Sequence, residues 1–350
     1  MLQEINKLPE QTLTLLQMGS CIGLTFSVTM LQLILDEQND NILKNLQSAL
    51  QCGLIQPLFS QGASAKLNNM QIIKDVSETV PFYVDTFIFL HDKVHESCYS
   101  SIDSATRKKL HFTIGTTMLD LMEQTPELEK DLFRVIHHLK EGEEYITDLQ
   151  QALRVVDTAI KASTVATEMG THAQALSYSL FARSLLQRYY PDDDECWKIE
   201  YKRCFAILLR ACESRSVLHQ PEVLDEFEVA FQRVADPVQR IDVYMLQFNH
   251  LCSQQQVPET VSLTKKVMEE YGHNIPDDYS YDTFRRETSK FLQTEAGETL
   301  EEKFCSLPLV TDDNLTDALI NFIVVASPSF YIMDDFVWWA YLLHFCCSKT

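Results

Sequence analysis

Two histidines, spaced four residues apart, have a side-chain type and a spacing that could support chemistry. On one helix His91 and His95 would share a face, and that spacing can bind zinc. However, no Glu follows His91, and no convincing third ligand is spaced nearby. The sequence therefore favours a structural role, in which His91 and Asp92 fix a strand-to-helix junction and Asp92 caps the helix.

Two further clusters of titratable residues have structural interpretations. His137 and His138 are adjacent in a predicted helix, so one ring should point inward and the other outward. The acidic run at residues 192–195 could attract calcium, but it lacks the Gly and the distal Glu of an EF-hand loop. We interpret this run as a solvated helix start, where acidic side chains complement the helix dipole.

Motifs for nucleotide binding and nucleophilic catalysis do not occur in the sequence. It has no GxxxxGK[ST] loop, no Gly-x-Ser-x-Gly elbow, no kinase loop and no phosphoacceptor-histidine motif. Its ten cysteines include no CxxC pair, and Cys196, Cys204 and Cys212 recur every eight residues, which predicts one helix face. We expect buried, reduced thiols, no metal, no cofactor and no catalysis by this chain.

Composition and charge limit the partners that this chain could bind. The 350 residues include only 9 Gly and 11 Pro, which favours long helices over many short strands. The formal net charge of −21 repels nucleic-acid phosphates and anionic lipid. The N-terminus lacks a signal-peptide pattern, and apolar runs such as residues 318–326 are too short to span a bilayer. These features predict a cytoplasmic protein without nucleic-acid or membrane partners.

The first 103 residues have the element pattern of a winged helix. Helices are predicted over residues 8–19, 26–35 and 41–51, with Gly19 and Gly23 breaking the first and Gly53 ending the third. Strands are predicted over residues 54–59 and 83–90, and a polar loop over residues 60–69 follows the first of them. The third helix carries only one cation, Lys44, so we expect it to pack against protein and not to read DNA.

From Asp92 to the end the chain shows almost only helical patterns. Amphipathic segments with short connections resemble antiparallel helix pairs, and a period in the thirties fits a TPR-like array over residues 104–280. Residues 281–350 are predicted to add further helices, with an aromatic tail over residues 315–349 and no clear cap. The tail should pack against the preceding helices, although truncation or a docking surface would also explain it.

Four segments, taken in order, resemble the region that follows the nucleotide-binding core of STAND-type (AAA-like) ATPases. The segment LPEQTLTLLQMGSCIGLTF at 8–26 is similar to the start of that region, and FLHDKVH at 89–95 resembles its F-x-H-D-(R/K)-V element. LHFTIG at 110–115 and IKASTVA at 160–166 resemble two later helices, although Val165 and Ala166 depart from the last pattern. The resemblance spans roughly residues 8–278, and such regions occur in hybrid histidine kinases and signal-transduction multi-kinases.

The resemblance implies a regulatory role in signal transduction. The winged helix and array would hold or release an ATPase, or bind a protein partner or another domain of the parent chain. Walker motifs would then precede Met1, and His91 would be the candidate to contact the nucleotide diphosphate. Two alternatives stay open at this point: a stand-alone TPR-like adaptor, and a hydrolase with an unrecognised site near His91 and His95. The expected fold class is mainly α, a winged-helix domain followed by a TPR-like helical array.

Overall fold

The chain folds mainly into helices, as the sequence predicts. The computed structural model describes residues 8–35, 39–58, 85–125, 130–274 and 314–349, with a few positions between 280 and 289. The fold divides into two compact units, Met1–Ala162 and Ser163–Thr350. Compact units defined by contacts need not coincide with domains, so the domain boundaries predicted after residues 103 and 280 stay predictions. The predicted loop at 60–69 lies outside the described residues.

The first unit combines seven helical segments with a small sheet in the described part of the chain. Its strands are β1 Thr25–Ser27, β2 Ile55–Leu58 and β3 Thr86–Phe89. Its helices are α1 Glu10–Ile22, α2 Val28–Leu35, α3 Asn39–Gln51, α4 Asp92–Ser100, α5 Ser104–Gln124, α6 Leu132–Glu141 and α7 Leu149–Glu168, which runs on into the second unit. A 3-10 turn, Glu143–Tyr145, connects α6 to α7.

The sheet is antiparallel in the order β1-β3-β2 and is built around three phenylalanines. Thr25 pairs with Ile88, and Ile55 pairs with Phe89. Phe26, Phe87 and Phe89 are buried, with ring centroids of the first and last 5.3 Å apart. The prediction of a helix from residue 26 was wrong there, because Phe26 forms β1 and α2 begins at Val28. A three-residue strand is too short to leave an alternating pattern in the sequence.

Helix α1 also continues past the glycine that was expected to break it. Gly19 is inside the helix, and a Cβ atom there would lie 2.9 Å from the Phe26 ring, so this glycine serves close packing. Gly23 ends the helix, with φ at 148° and its N–H donating to the Gly19 carbonyl. Only this second glycine has the backbone conformation that excludes other residues.

The second unit contains eight further helices in its described residues. They are α8 His172–Tyr189, α9 Asp193–Ile199, α10 Tyr201–Val217, α11 Val223–Arg233, α12 Pro237–Ser253, α13 Val257–Glu270, α14 Asn314–Ile332 and α15 Phe336–Lys349. Apolar side chains form clusters that follow the chain: around Phe205 and Phe227, around Tyr244 and Phe322, and around Met268 and Phe330. Each cluster joins neighbouring helices, which is the packing pattern of a helical array.

One predicted helix, over residues 194–212, is broken in the structure. Glu200 leaves helical geometry, with φ −111° and ψ 32°, and so separates α9 from α10. Its carboxylate pairs with Arg203 and accepts from the Tyr190 hydroxyl. Consequently Cys196 lies on α9, whereas Cys204 and Cys212 lie on α10, and the prediction of a single helix face for all three cysteines was wrong.

The aromatic tail packs as predicted only in part. Phe322 and Phe330 are completely buried, which agrees with packing against the preceding helices. Tyr331 and Phe336 are 58% and 40% exposed. The tail therefore contributes to the core through one face of α14 and through Leu342 of α15, and it leaves aromatic side chains on the surface.

Candidate functional site

The two histidines that could have formed a zinc site have different environments in the structure. His91 lies before α4 in extended geometry and is exposed, while its carbonyl accepts from the N–H groups of Val94 and His95. His91 is therefore the N-cap residue, without a side-chain cap bond, and Asp92 is the first residue of the helix. The prediction that Asp92 caps α4 was wrong, although its charge still complements the positive end of the helix dipole.

His95 is part of the packing of the first unit. Its Nε2 lies 3.0 Å from the Ser20 carbonyl oxygen of α1, and its ring contacts Phe89 and Tyr99 at centroid distances of 5.3 and 6.4 Å. Among the described residues, no group of three or more His, Cys, Asp or Glu side chains could hold a metal ion. The contacts of His95 therefore fix α4 against α1 and β3.

A pair of buried histidines lies between α5 and α6 in the same unit. His111 Nδ1 is 2.8 Å from His138 Nδ1, and His111 Nε2 is 3.1 Å from the Tyr99 hydroxyl. Burial lowers the pKa of His111 to about 4 and that of His138 to about 3, so both rings are neutral near pH 7. His138 is buried and His137 is exposed, which confirms the predicted division between the adjacent rings. The pairing with His111 left no signal in the sequence.

The acidic run at the start of α9 is a helix start, in agreement with the sequence interpretation. The Asp192 side chain accepts from the Asp194 N–H and caps the helix. Arg233 of α11 binds both Asp193, at 2.9 Å, and Asp194. One carboxylate of the run therefore caps the helix, and the two that pair with Arg233 link α9 to α11.

The second unit has a wide groove between α12 and α14, with a volume of about 560 Å³. Both helices contribute their N-terminal turns, so acidic and carboxamide side chains meet apolar ones there. The lining residues are Asp236, Val238, Gln239, Ile241, Asp242, Met245, Asn314, Asp317, Ala318 and Asn321. Sequence reasoning missed this groove, because its two walls are more than 60 residues apart in the chain.

Local contacts orient the α12 wall of the groove. Asp236 caps α12 by accepting from the Gln239 N–H at 2.9 Å, and the Gln239 side-chain oxygen accepts from the Tyr201 hydroxyl at 2.6 Å. Burial, together with the charge of Asp236, raises the pKa of Asp242. Three carboxylates outweigh the partial positive charges of the two helix N-termini, about half an elementary charge each, so the groove is negative overall.

The C-terminal half of α14 presents apolar side chains to solvent. Val324 and Ile332 are 59% and 66% exposed, and the opposite face of the helix packs into the core through Phe322 and Phe330. With 19 residues and a mean hydropathy of 1.5, α14 could cross a membrane by length and composition alone. The sequence expectation was based on apolar runs such as residues 318–326, which are shorter than this helix. A helix in a protein core passes the same test of length and composition, and it also buries one face.

Comparisons with known proteins add no family to these observations. No protein-family model, no curated protein and no solved structure matches this chain. The functional interpretation therefore depends on the chemistry of the described residues and on the resemblance of the sequence segments.

Proposed function

We propose that this chain is a non-catalytic, regulatory protein-interaction region of a STAND-type signalling ATPase, linked to histidine or serine/threonine kinase signalling. In this proposal the second unit binds an extended, basic segment of a partner protein, or of another domain of the parent chain, between α12 and α14. The observation that carries the proposal is the groove, which combines an apolar floor with carboxamides and carboxylates.

The groove has the side chains that an extended peptide needs. Asn314 and Asn321 can each donate to a peptide carbonyl and accept from a peptide N–H. Val238 and Met245, which are half-buried, offer apolar contact to a side chain of the ligand. Asp317 is exposed at the rim and would attract Lys or Arg. Long grooves between stacked helices are also the surfaces that repeat proteins use for binding.

The architecture supports the remaining parts of the proposal. The succession of three helices and three antiparallel strands in the first unit supports the proposal of a winged helix, and the sequential packing of helices in the second unit supports the proposal of a TPR-like array. His91 is exposed, so it would be available to contact a nucleotide diphosphate held by a preceding ATPase core. The proposal places the chain in the cytoplasm, without nucleic-acid or membrane partners.

Peptide selection on the purified full chain tests the groove. A random peptide library should yield basic sequences, whose affinity is then measured by fluorescence anisotropy. Asp317→Lys should weaken binding about tenfold, because it reverses one charge beside a cationic ligand. Asp225→Lys is the matched control, since Asp225 is also an exposed aspartate in the first turn of a helix, α11, and it lies outside the groove.

Two outcomes would overturn the groove assignment. One is selection that yields no peptide above background, and the other is equal weakening by the two charge reversals. The link to an ATPase has its own test, which is to read the gene on both sides of this coding region for an in-frame P-loop or histidine kinase. A nucleotide and phosphoester turnover assay tests the alternative of a hydrolase near His91 and His95, since the proposal expects no turnover.

A further inference from the structure

Two buried thiols meet at the turn between α9 and α10. Cys196 and Cys204 are eight residues apart in the chain, and the break at Glu200 folds α9 back so that their Sγ atoms are 3.5 Å apart. The two residues are only 4% and 9% exposed. The next cysteine on α10, Cys212, follows Cys204 by eight helical residues, about 12 Å along the helix axis, so it cannot replace either member of the pair.

A small cavity gives access to these sulfur atoms. It has a volume of about 170 Å³, and both cysteines line it together with Trp197, Leu208 and Arg183. That volume exceeds the space that one water molecule occupies, about 30 Å³, so a molecule as small as hydrogen peroxide fits. The two thiols are therefore accessible to a small oxidant, although they are shielded from bulk solvent.

We propose that Cys196 and Cys204 are a redox-modification site, where a hydroperoxide converts the two thiols into an intrachain disulfide. The Cys196 thiolate attacks one oxygen of the peroxide, the O–O bond breaks, and the remaining oxygen leaves as water after taking up a proton. The resulting sulfenic acid is attacked by the Cys204 sulfur, which forms the S–S bond and releases a second water. The two sulfurs lose two electrons in total, and hydrogen peroxide gains them.

The surroundings of the two thiols assign the roles. Burial raises the pKa of Cys196, the hydrogen bond between the two sulfur atoms, in which either can donate, opposes that rise, and the charges of Asp193 and Glu200 add to it. Burial raises the pKa of Cys204 more strongly, and the same hydrogen bond adds to the rise. Cys196 is therefore the first to form a thiolate, and Cys204 resolves the sulfenic acid. Because both pKa values are raised, the reaction should be faster at alkaline pH.

Formation of the disulfide requires only a small movement of α9. The sulfur atoms must approach by about 1.5 Å, because a disulfide bond is about 2.05 Å long. Helix α9 has seven residues, and its ion pairs with Arg233 involve exposed aspartates, so they hold the helix weakly. Once formed, the disulfide would fix α9 against α10 across the Glu200 turn.

Peptide mapping of the full chain tests this proposal. Fully reduced protein is treated with hydrogen peroxide in native buffer, alkylated in denaturant, and digested with trypsin without reduction. Cleavage after Lys198 and Lys202 separates the two cysteines, so a disulfide appears as two joined peptides that are lighter by two hydrogen atoms. We expect this species in the wild type, with a rate about tenfold higher at one pH unit above neutral.

Two variants and one comparison make the result decisive. Cys212→Ser should keep the joined peptides, whereas Cys196→Ser should leave Cys204 alkylated. The proposal is overturned if both Cys196 and Cys204 are recovered alkylated while the exposed Cys52 and Cys252 are oxidised. It is equally overturned if the joined peptides appear only when oxidation is carried out in denaturant, because the folded geometry would then have no role.

Discussion

Lowering the pH should destabilise the first unit through its buried histidine pair. His111 and His138 are neutral in the fold because burial lowers their pKa values to about 4 and about 3, whereas an unfolded histidine has a pKa near 6.5. The unfolded chain therefore binds more protons in this range. The stability that depends on the neutral rings is complete above about pH 6.5 and is lost as the pH falls toward the folded pKa values.

The magnitude follows from the difference between the folded and unfolded pKa values. Between about pH 7 and pH 5 each histidine should lower the free energy of unfolding by about 1.8 kcal/mol, or about 3.6 kcal/mol for the pair. The charged groups that act on the pair are Arg107, Arg134 and His137, which oppose protonation, and Glu141, which favours it at His111. Most carboxylates titrate below this range, so they add little.

Hydrogen exchange measured by mass spectrometry gives this free energy for the peptides of α5 and α6. All three tryptophans, Trp197, Trp338 and Trp339, lie in the second unit, so their fluorescence reports on that unit separately. His138→Gln should remove about half of the pH dependence, because one neutral ring remains. His137→Gln is the matched control, since it replaces the adjacent, exposed ring and should leave most of the dependence in place.

One result would refute this reasoning. If protection of the α5 and α6 amides, corrected for the intrinsic exchange rate, is the same at both pH values, then the rings are not held neutral by burial. Equal effects of the two glutamine substitutions would also contradict it, because only one of the two side chains is buried.

Two further predictions concern packing and charge. Glu226→Ala should lower the free energy of unfolding of the second unit by about 3 kcal/mol, because Arg183 loses a partly buried, bidentate partner. Tryptophan fluorescence in urea measures this, and the exposed Glu228→Ala should change it by less than about 0.5 kcal/mol. Gly142→Ala should destabilise the first unit by about 2 kcal/mol, since its Cβ would lie 2.5 Å from the Phe112 backbone nitrogen. Circular dichroism melts measure this, and an unchanged melting temperature would contradict the close contact.

The helices could be predicted from the sequence because their information is local. Amphipathic spacing placed α1, α3 and most helices of the second unit, and the strand before His91 was predicted from its short hydrophobic run. The errors occurred where distant contacts decide the local geometry. Glu200 leaves the helix while its side chain contacts Tyr190 and Arg203, and nothing in the residues around it marks this position as a break.

The candidate sites were less predictable than the elements for the same reason. The His111–His138 pair depends on the packing of α5 against α6, and the groove depends on two helices separated by α13 and by residues outside the described part of the chain. In each case the residue types do not stand out in the sequence, and only their proximity in the fold gives them a role. Cys196 and Cys204 illustrate this best, because the spacing of eight was visible and its helical interpretation was wrong.

Helix α14 combines three environments that its mean hydropathy cannot distinguish. Its first turns carry Asn314 and Asp317 into the groove, its inner face buries Phe322 and Phe330, and its outer face exposes Val324 among other apolar residues. The polar first turns and the one-sided core account for two of these environments, and the apolar outer face stays exposed in the part of the chain that the structure describes.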